Sequence, residues 1–294
     1  MKHFVTNHEF TRRLTSRFVA GGELQDALEV ILQLNEQGFE ASLNYLGESV
    51  TSEEAAELSA EEYLKALDEI YVRHVRSHIS VKLTQLGISL SENLCYKLMK
   101  RILVRAQSHN NFIRIDMEDS AYTDKTIAIY RKLRRKYSNI GVAIQSYLYR
   151  SEDDVKKMLE KGAKIRLVKG AYLEPKNIVY SSKNEVDKNY LKLMKMLLNK
   201  TVTYKSTRIA IATHDEKIIQ YALEYAEEHN LTKKEYEFQM MYGIRGDIQK
   251  NLMQRGFTTR IYVPYGKSWY PYFMRRLAER PANLIFFLRN LVRI

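Results

Sequence analysis

Eight short runs of apolar or alternating residues recur along the 294-residue chain: Phe39 to Leu46, Ile79 to Leu86, Phe112 to Met117, Gly141 to Leu148, Lys164 to Val168, Arg208 to Thr213, Tyr236 to Met241 and Thr259 to Val263. Their length and β-branched content predict strands. Between them lie segments with helical spacing: Glu53 to Val75, Ser91 to Ala106, Asp124 to Tyr137, Ser151 to Glu160, Glu185 to Leu198, Glu216 to Glu228 and Ile248 to Arg255. Thr51 and Glu54 have the spacing of a capping box at the first of these. Strand and helix alternate, which predicts an α/β protein closed as a (β/α)₈ TIM-type barrel, with an open doubly wound sheet as the alternative. Residues 1–38, with a helical apolar stripe from Leu24 to Leu34, precede the first strand and are expected to form a helical arm on a catalytic domain spanning 39–294.

Composition narrows this picture. A hydrophobic content of 45% supports one large core, and no proline- or glycine-rich linker argues for a second domain. No apolar run approaches the roughly 18 residues of a membrane span, and the first residues lack a signal-peptide core. A soluble, cytoplasmic protein is expected. The single cysteine, Cys95, excludes an internal disulfide framework. Formal charge is +12, and from Gly243 to Ile294 ten Lys/Arg face two acids, a local net of +8. Such a surface suits nucleic acid, an anionic membrane or a phosphorylated cofactor. No zinc-finger, helix-turn-helix or RNA-binding signature is present, so no nucleic-acid partner is expected. Walker, G-x-G-x-x-G and G-x-S-x-G motifs are absent too. His74 and His78 are four apart but lack the zincin glutamate, and no metal site is expected.

In a barrel the catalytic groups gather where the strands end. Polar groups accordingly recur in and at the ends of the predicted strands: Lys82 inside the second, Asp116 and Glu118 on either side of Met117 at the end of the third, Gln145, Arg166, Lys169 before the small Gly170-Ala171, and Thr213-His214. Lys169 followed by two small residues lets backbone N–H groups approach a phosphate or a flat ring, so a phosphorylated, extended cofactor fits better than a metal. Near the C-terminus, Ser268 and Pro281 bound a short helix on which Tyr272, Arg275, Arg276 and Glu279 share a face. Two guanidiniums beside tyrosines suit a bidentate grip on a small carboxylate.

These motifs together resemble the monofunctional bacterial proline dehydrogenase family from about Phe39 to Ile294. The resemblance is carried by Ser80-Val-Lys82-Leu-Thr-Gln-Leu-Gly87, Ile115-Asp116-Met117-Glu118-Asp119, Gln145 to Glu152, Arg166-Leu-Val-Lys169-Gly-Ala-Tyr172, Ala212-Thr213-His214-Asp215, Phe238-Gln239, Tyr262-Val-Pro264-Tyr-Gly266 and Tyr272-x-x-Arg275-Arg276-x-x-Glu279. It implies a distorted (β/α)₈ barrel that binds FAD at the strand ends under its last helix. The implied reaction is hydride transfer from L-proline to the flavin N5, giving 1-pyrroline-5-carboxylate, the first step of proline catabolism to glutamate, with electrons passed to a quinone. By the same resemblance Arg275, Arg276 and Lys82 hold the substrate carboxylate, and Tyr262 and Tyr272 wall its ring. Asp116 organises the site and pairs with an arginine, and Arg166 meets the flavin N5 edge. Met117, Gln145, Lys169, Gly170, Ala171, Thr213 and His214 are similar to the family's FAD contacts. Tyr262 disfavours hydroxyproline, the alternative substrate. A peripheral contact with the inner face of the membrane through the basic C-terminal part, and a 1-pyrroline-5-carboxylate dehydrogenase as partner, are further expectations, hand-over of product being left open.

Overall fold

In the computed structural model, which describes residues 17–203 and 209–278, eight parallel strands close into a barrel in sequence order. They are β1 (Glu40–Tyr45), β2 (Ser77–Val81), β3 (Ile113–Ile115), β4 (Ile140–Gln145), β5 (Ile165–Val168), β6 (Ile209–Ala212), β7 (Tyr236–Met241) and β8 (Thr259–Tyr265). The helices are α1 (Leu24–Glu36), α2 (Glu53–Val72), α3 (Glu92–Ser108), α4 (Ser120–Arg134), α5 (Ser151–Leu159), α6 (Lys183–Thr203), α7 (Glu216–Glu228), α8 (Gly246–Gln254) and α9 (Trp269–Ala278). Closure is made by β1 against β8, paired from Glu40↔Arg260 to Tyr45↔Tyr265. No described helix is long and apolar enough to cross a membrane.

The period of two along each strand separates two environments. Ala41, Leu43, Ile79, Val81, Ile113, Ile115, Val142 and Ile144 are buried in one core with helix residues such as Tyr63, Leu67, Leu98 and Ile102. Each buried valine, leucine or isoleucine among them contributes about 1.5–3 kcal/mol by leaving water. The intervening positions face the barrel interior, which is polar and charged instead of being filled with branched aliphatics. Arg166 on β5 bonds across it to Ser80 on β2, and Tyr262 on β8 bonds to Asp116 at the end of β3.

Helix α1 packs against β1 and β8, in the outer position that a helix following β8 would take. Its approach is fixed by backbone bonds from Ala20 N to Pro264 O and from Gly266 N to Gly21 O, the latter 2.9 Å. Of the expected arm, residues 1–16 lie outside the described residues. With that outer position filled, α9 crosses the rim. Phe18, Val19, Leu46, Ile244, Tyr272 and Phe273 form a small apolar cluster that carries it.

Several element ends differ from the sequence expectation. Strand β2 stops at Val81, not Leu86, because Leu83–Leu86 forms a 3₁₀ turn closed by Gly87 at φ +74°. Tyr63 Oη donating to Gln85 Oε1 and Thr84 N donating to Glu118 hold that turn off the strand direction. The cap of α2 is Ser52, one residue later than the expected box at Thr51, its hydroxyl accepting from Ala55 N. Helix α4 begins at Ser120 instead of Asp124, since Asp119 Oδ1 caps it by accepting from Ala121 N.

Candidate active site

The centre of the interior is Arg166. Its Nε donates to Gln239 Oε1 at 2.5 Å, Nη1 to Asp116 Oδ1 at 2.6 Å, and Nη2 to Ser80 Oγ at 3.0 Å and Ser42 Oγ at 3.4 Å. Among the described residues these contacts occupy four of its five N–H groups, leaving one Nη1 hydrogen uncommitted. The side chain is 5% exposed and its Asp116 partner 14%, so solvent screens the pair little. Asp116 Oδ2 also accepts from Tyr262 Oη at 2.7 Å, and the guanidinium lies 5.4 Å from the Tyr262 ring centre. Burial first, and the Asp116 charge second, raise the Tyr262 phenol well above its ordinary range, so it remains a proton donor. Asp116 therefore pairs with Arg166 and Tyr262, not with Lys82 as a plain interior ion pair would have it.

A cavity of about 490 Å³ is lined by Lys82, Gln85, Glu48, Leu58, Tyr272 and Arg275 among others, and of these Tyr272 and Arg275 lie within electrostatic reach of Tyr262. Lys82 directly follows β2, at the start of the 3₁₀ turn, and is 6% exposed. Among the described residues no carboxylate pairs with it. Arg275 comes from α9 and is held by Glu48, with Nη1 donating to Oε1 at 2.9 Å and Nη2 to Oε2 at 3.3 Å. Burial alone would lower its affinity for a proton; the Glu48 carboxylate outweighs burial and raises it. Arg275 also lies 5.5 Å over the Tyr172 ring. Arg276 belongs to α9, but its side chain and the whole of Glu279 lie outside the described residues.

The residues expected around a cofactor line the other half of the rim. Gln145 donates through Nε2 to Glu118 O, while its buried Oε1 has no partner among the described residues, nor has Ser146 Oγ. Gly170, at φ +114°, lies so close to Tyr147 that a Cβ would sit 2.3 Å from the ring, so only glycine permits this turn. Lys169 bridges Asp187 and Asp215 at 2.5 and 2.9 Å. Thr213 Oγ1 accepts from Asp215 N, and His214 Nε2 accepts from Met241 N, which puts the proton of the neutral ring on Nδ1. Ala171 is exposed at the rim, whereas Met117 is largely buried in the core. An orphaned amide oxygen, a glycine turn and a lysine fit an extended cofactor carrying hydrogen-bonding edges and phosphates. Groups of His, Cys, Asp or Glu able to hold a metal are absent among the described residues.

Read from sequence alone, Ser42 and Glu48 have no place in the site, and Ser80 has a place in a motif but no role. The serines carry no charge to attract notice; only their place in the inward series, with Ser42 opposite His78, marks them. Glu48 follows β1, and inspecting the end of that strand as the others were inspected would have found it.

The sequence profile of the family described as proline dehydrogenase matches residues 27–289. Proline dehydrogenase 1 of Bacillus subtilis (strain 168) is 40% identical over 283 residues, covering 96% of this chain and 92% of that protein. The proline dehydrogenase of Deinococcus radiodurans is 36% identical, covering 95% and 90%. Among solved structures, proline utilization A from Bdellovibrio bacteriovorus, inactivated by N-propargylglycine, superposes with a TM-score of 0.84 at 25% identity, over 91% of this chain and 32% of that one. With the family profile matching residues 27–289 and these sequence relatives aligned along nearly its whole length, the chain, folded as a closed barrel, belongs to the proline dehydrogenase family.

Proposed function

We propose that this chain oxidises L-proline to 1-pyrroline-5-carboxylate, the first step of proline catabolism, with FAD held at the C-terminal rim of the barrel. The observation that carries the reading is the nearness of two groups: two cations, Lys82 and Arg275, that line one cavity, and the buried Arg166–Asp116–Tyr262 cluster, whose Tyr262 lies within electrostatic reach of Arg275. Bound FAD would supply the two-electron oxidant that the substrate ring requires. Gln145, Lys169, Gly170, Thr213 and His214 would hold it, with Ala171 and Met117 at its margin.

Arg275 and Lys82 bind the proline carboxylate, joined by Arg276 from the same helix. Fixing the carboxylate at separate points orients the ring, and the aromatic walls Tyr262 and Tyr272 keep water out, which strengthens those contacts. Tyr272 is buried, its hydroxyl 3.8 Å from Met241 Sδ. Tyr262 keeps its proton and donates a hydrogen bond through it to Asp116, so these two residues hold the architecture and neither serves as a base. The guanidinium of Arg166 would offer its remaining N–H and its charge to the edge of bound FAD, stabilising the negative charge that reduction brings. The phenol of Tyr262 fills the space a ring hydroxyl would need, which favours proline over hydroxyproline.

A quinone as onward electron acceptor, a peripheral position at the inner face of the membrane and delivery of product to 1-pyrroline-5-carboxylate dehydrogenase extend the same reading and rest on family membership. The deciding experiment is dye reduction by purified protein with FAD and proline, read beside its absorption spectrum. Flavin bands and proline-dependent turnover are expected; a colourless protein inert after FAD addition sinks the proposal. Co-sedimentation with anionic vesicles at low salt tests the membrane position, and absence of binding removes it.

A further inference from the structure

We propose that Gln239 and Glu237 are positioning residues for Arg166, aiming its remaining N–H from below through the orientation of the Gln239 amide. This rests on the reading of Arg166 as the residue that meets the cofactor edge. The two residues alternate with Phe238 on β7, so both face the barrel interior, where they are 4% and 3% exposed. Water does not compete for their bonds at that burial.

An ionised carboxylate only accepts hydrogen bonds. Glu237 is anchored by Arg260, whose Nε donates to Oε1 at 2.9 Å and Nη2 to Oε2 at 3.2 Å. Arg260 is itself fixed by Ala41 O at 2.8 Å and by Glu40 at 3.6 Å. Gln239 Nε2 donates to Glu237 Oε1 at 2.5 Å, so the amide must turn its oxygen the other way, toward Arg166 Nε at 2.5 Å. The reversed amide would set its NH₂ against the guanidinium, donor to donor. A primary amide offers one acceptor face and one donor face, and here each meets the one partner able to use it. The line Glu40–Arg260–Glu237–Gln239–Arg166–Asp116–Tyr262 therefore runs from the barrel floor to the rim. Neutralising Arg260 explains Glu237 but not Gln239, because the Arg260–Glu237 pair would stand with any residue at 239. Partners of this kind behind an active group set its orientation and strength as firmly as direct contacts do.

The test uses the FAD-loaded enzyme and two variants. Gln239→Met keeps the Glu237–Arg260 pair and deletes the acceptor for Arg166 Nε; Glu237→Gln keeps every shape but lets the 239 amide take either orientation. Each is expected to lower kcat by about tenfold while leaving KM for proline within twofold, since Lys82 and Arg275 are untouched. The flavin midpoint potential should become more negative as the guanidinium drifts from the reduced ring, with flavin content unchanged. Introduced into an Arg166→Lys enzyme, Gln239→Met should cost less than a further twofold in kcat, because it acts through Arg166. Undiminished loss in that background, or a wild-type kcat and potential for Gln239→Met, overturns the proposal. Should Arg166→Lys itself leave kcat and potential unaltered, the role of Arg166 falls and this inference with it. If Glu237→Gln does not accumulate as folded protein, the Gln239→Met results decide alone.

Discussion

Lys82 and Arg275 face the same cavity yet are compensated differently. Arg275 shares two of its N–H groups with Glu48 and keeps the rest; Lys82 has no carboxylate partner among the described residues. A buried ammonium that feels the Glu118 carboxylate only at a distance is costly to keep, so the position favours an arriving anion. Losing one charged grip on a carboxylate costs about 1.5–3 kcal/mol. Arg275→Met should therefore raise KM for proline by roughly 10- to 100-fold with flavin still bound; an unaltered KM from steady-state dye reduction would remove Arg275 from the carboxylate site. The Arg166–Asp116 pair makes a different kind of prediction, because breaking a buried pair leaves the other charge unbalanced. Asp116→Asn should lower stability by about 3 kcal/mol, read from urea unfolding, and weaken catalysis beyond that. At this scale the charged members of the site were legible, since a lysine, an aspartate and an arginine inside apolar strands have few reasons to be there. Ser42, Gln239 and Glu237 were not legible as a line, because their meaning lies in contacts between β1, β5 and β7 that no local pattern encodes.

Helix α9 shows what an element contributes beyond its residues. It sits on Phe18, Val19, Leu46 and Ile244, with Phe18 and Phe273 ring centres 6.2 Å apart, and Glu48 holds its Arg275. Gly243 lets the start of the chain pass beneath: a Cβ there would lie 1.7 Å from Arg17 O, and φ is +72°. Glu48 thus pre-orients Arg275 as it tethers the helix. Glu48→Gln weakens both actions, and KM for proline should rise several-fold with kcat little changed; a fall in KM would mean that Glu48 competes with substrate instead. The strands were legible from their alternation, but their ends were not. Thr84 bonding to Glu118 and Tyr63 to Gln85 end β2 by side-chain contacts 34 and 22 residues apart in sequence, beyond any window a period can scan. The course of α9 over the rim came from the resemblance, since its own spacing says only that one face is polar.

Across the molecule, charge and packing set its behaviour as a unit. Burial works to raise the Asp215 carboxyl, but Lys169 and Lys183 outweigh it and hold it at about 2. An ordinary aspartate titrates near about 3.9, so this depressed group stabilises the folded state above that pH, and the contribution is lost as pH falls toward about 2. Lys169→Met removes the leading cause, and its acid unfolding, followed by circular dichroism, should move to higher pH than that of the parent; an identical transition would show that Lys183 suffices. The single tryptophan, Trp269, lies on α9 and meets Phe273 edge-on, so its emission reports the cover and not the barrel. The bond between Gly21 and Gly266 has a further consequence. Helix α1 runs from that point down the outside of β8 and β1, so the barrel's eighth outer helix is supplied by the front of the chain, and the molecule is wired as a circular permutant of the regular order. Joining Gly266 directly to Gly22 and opening the chain at another loop should yield a complete barrel lacking its cover, folded by circular dichroism yet unable to retain proline.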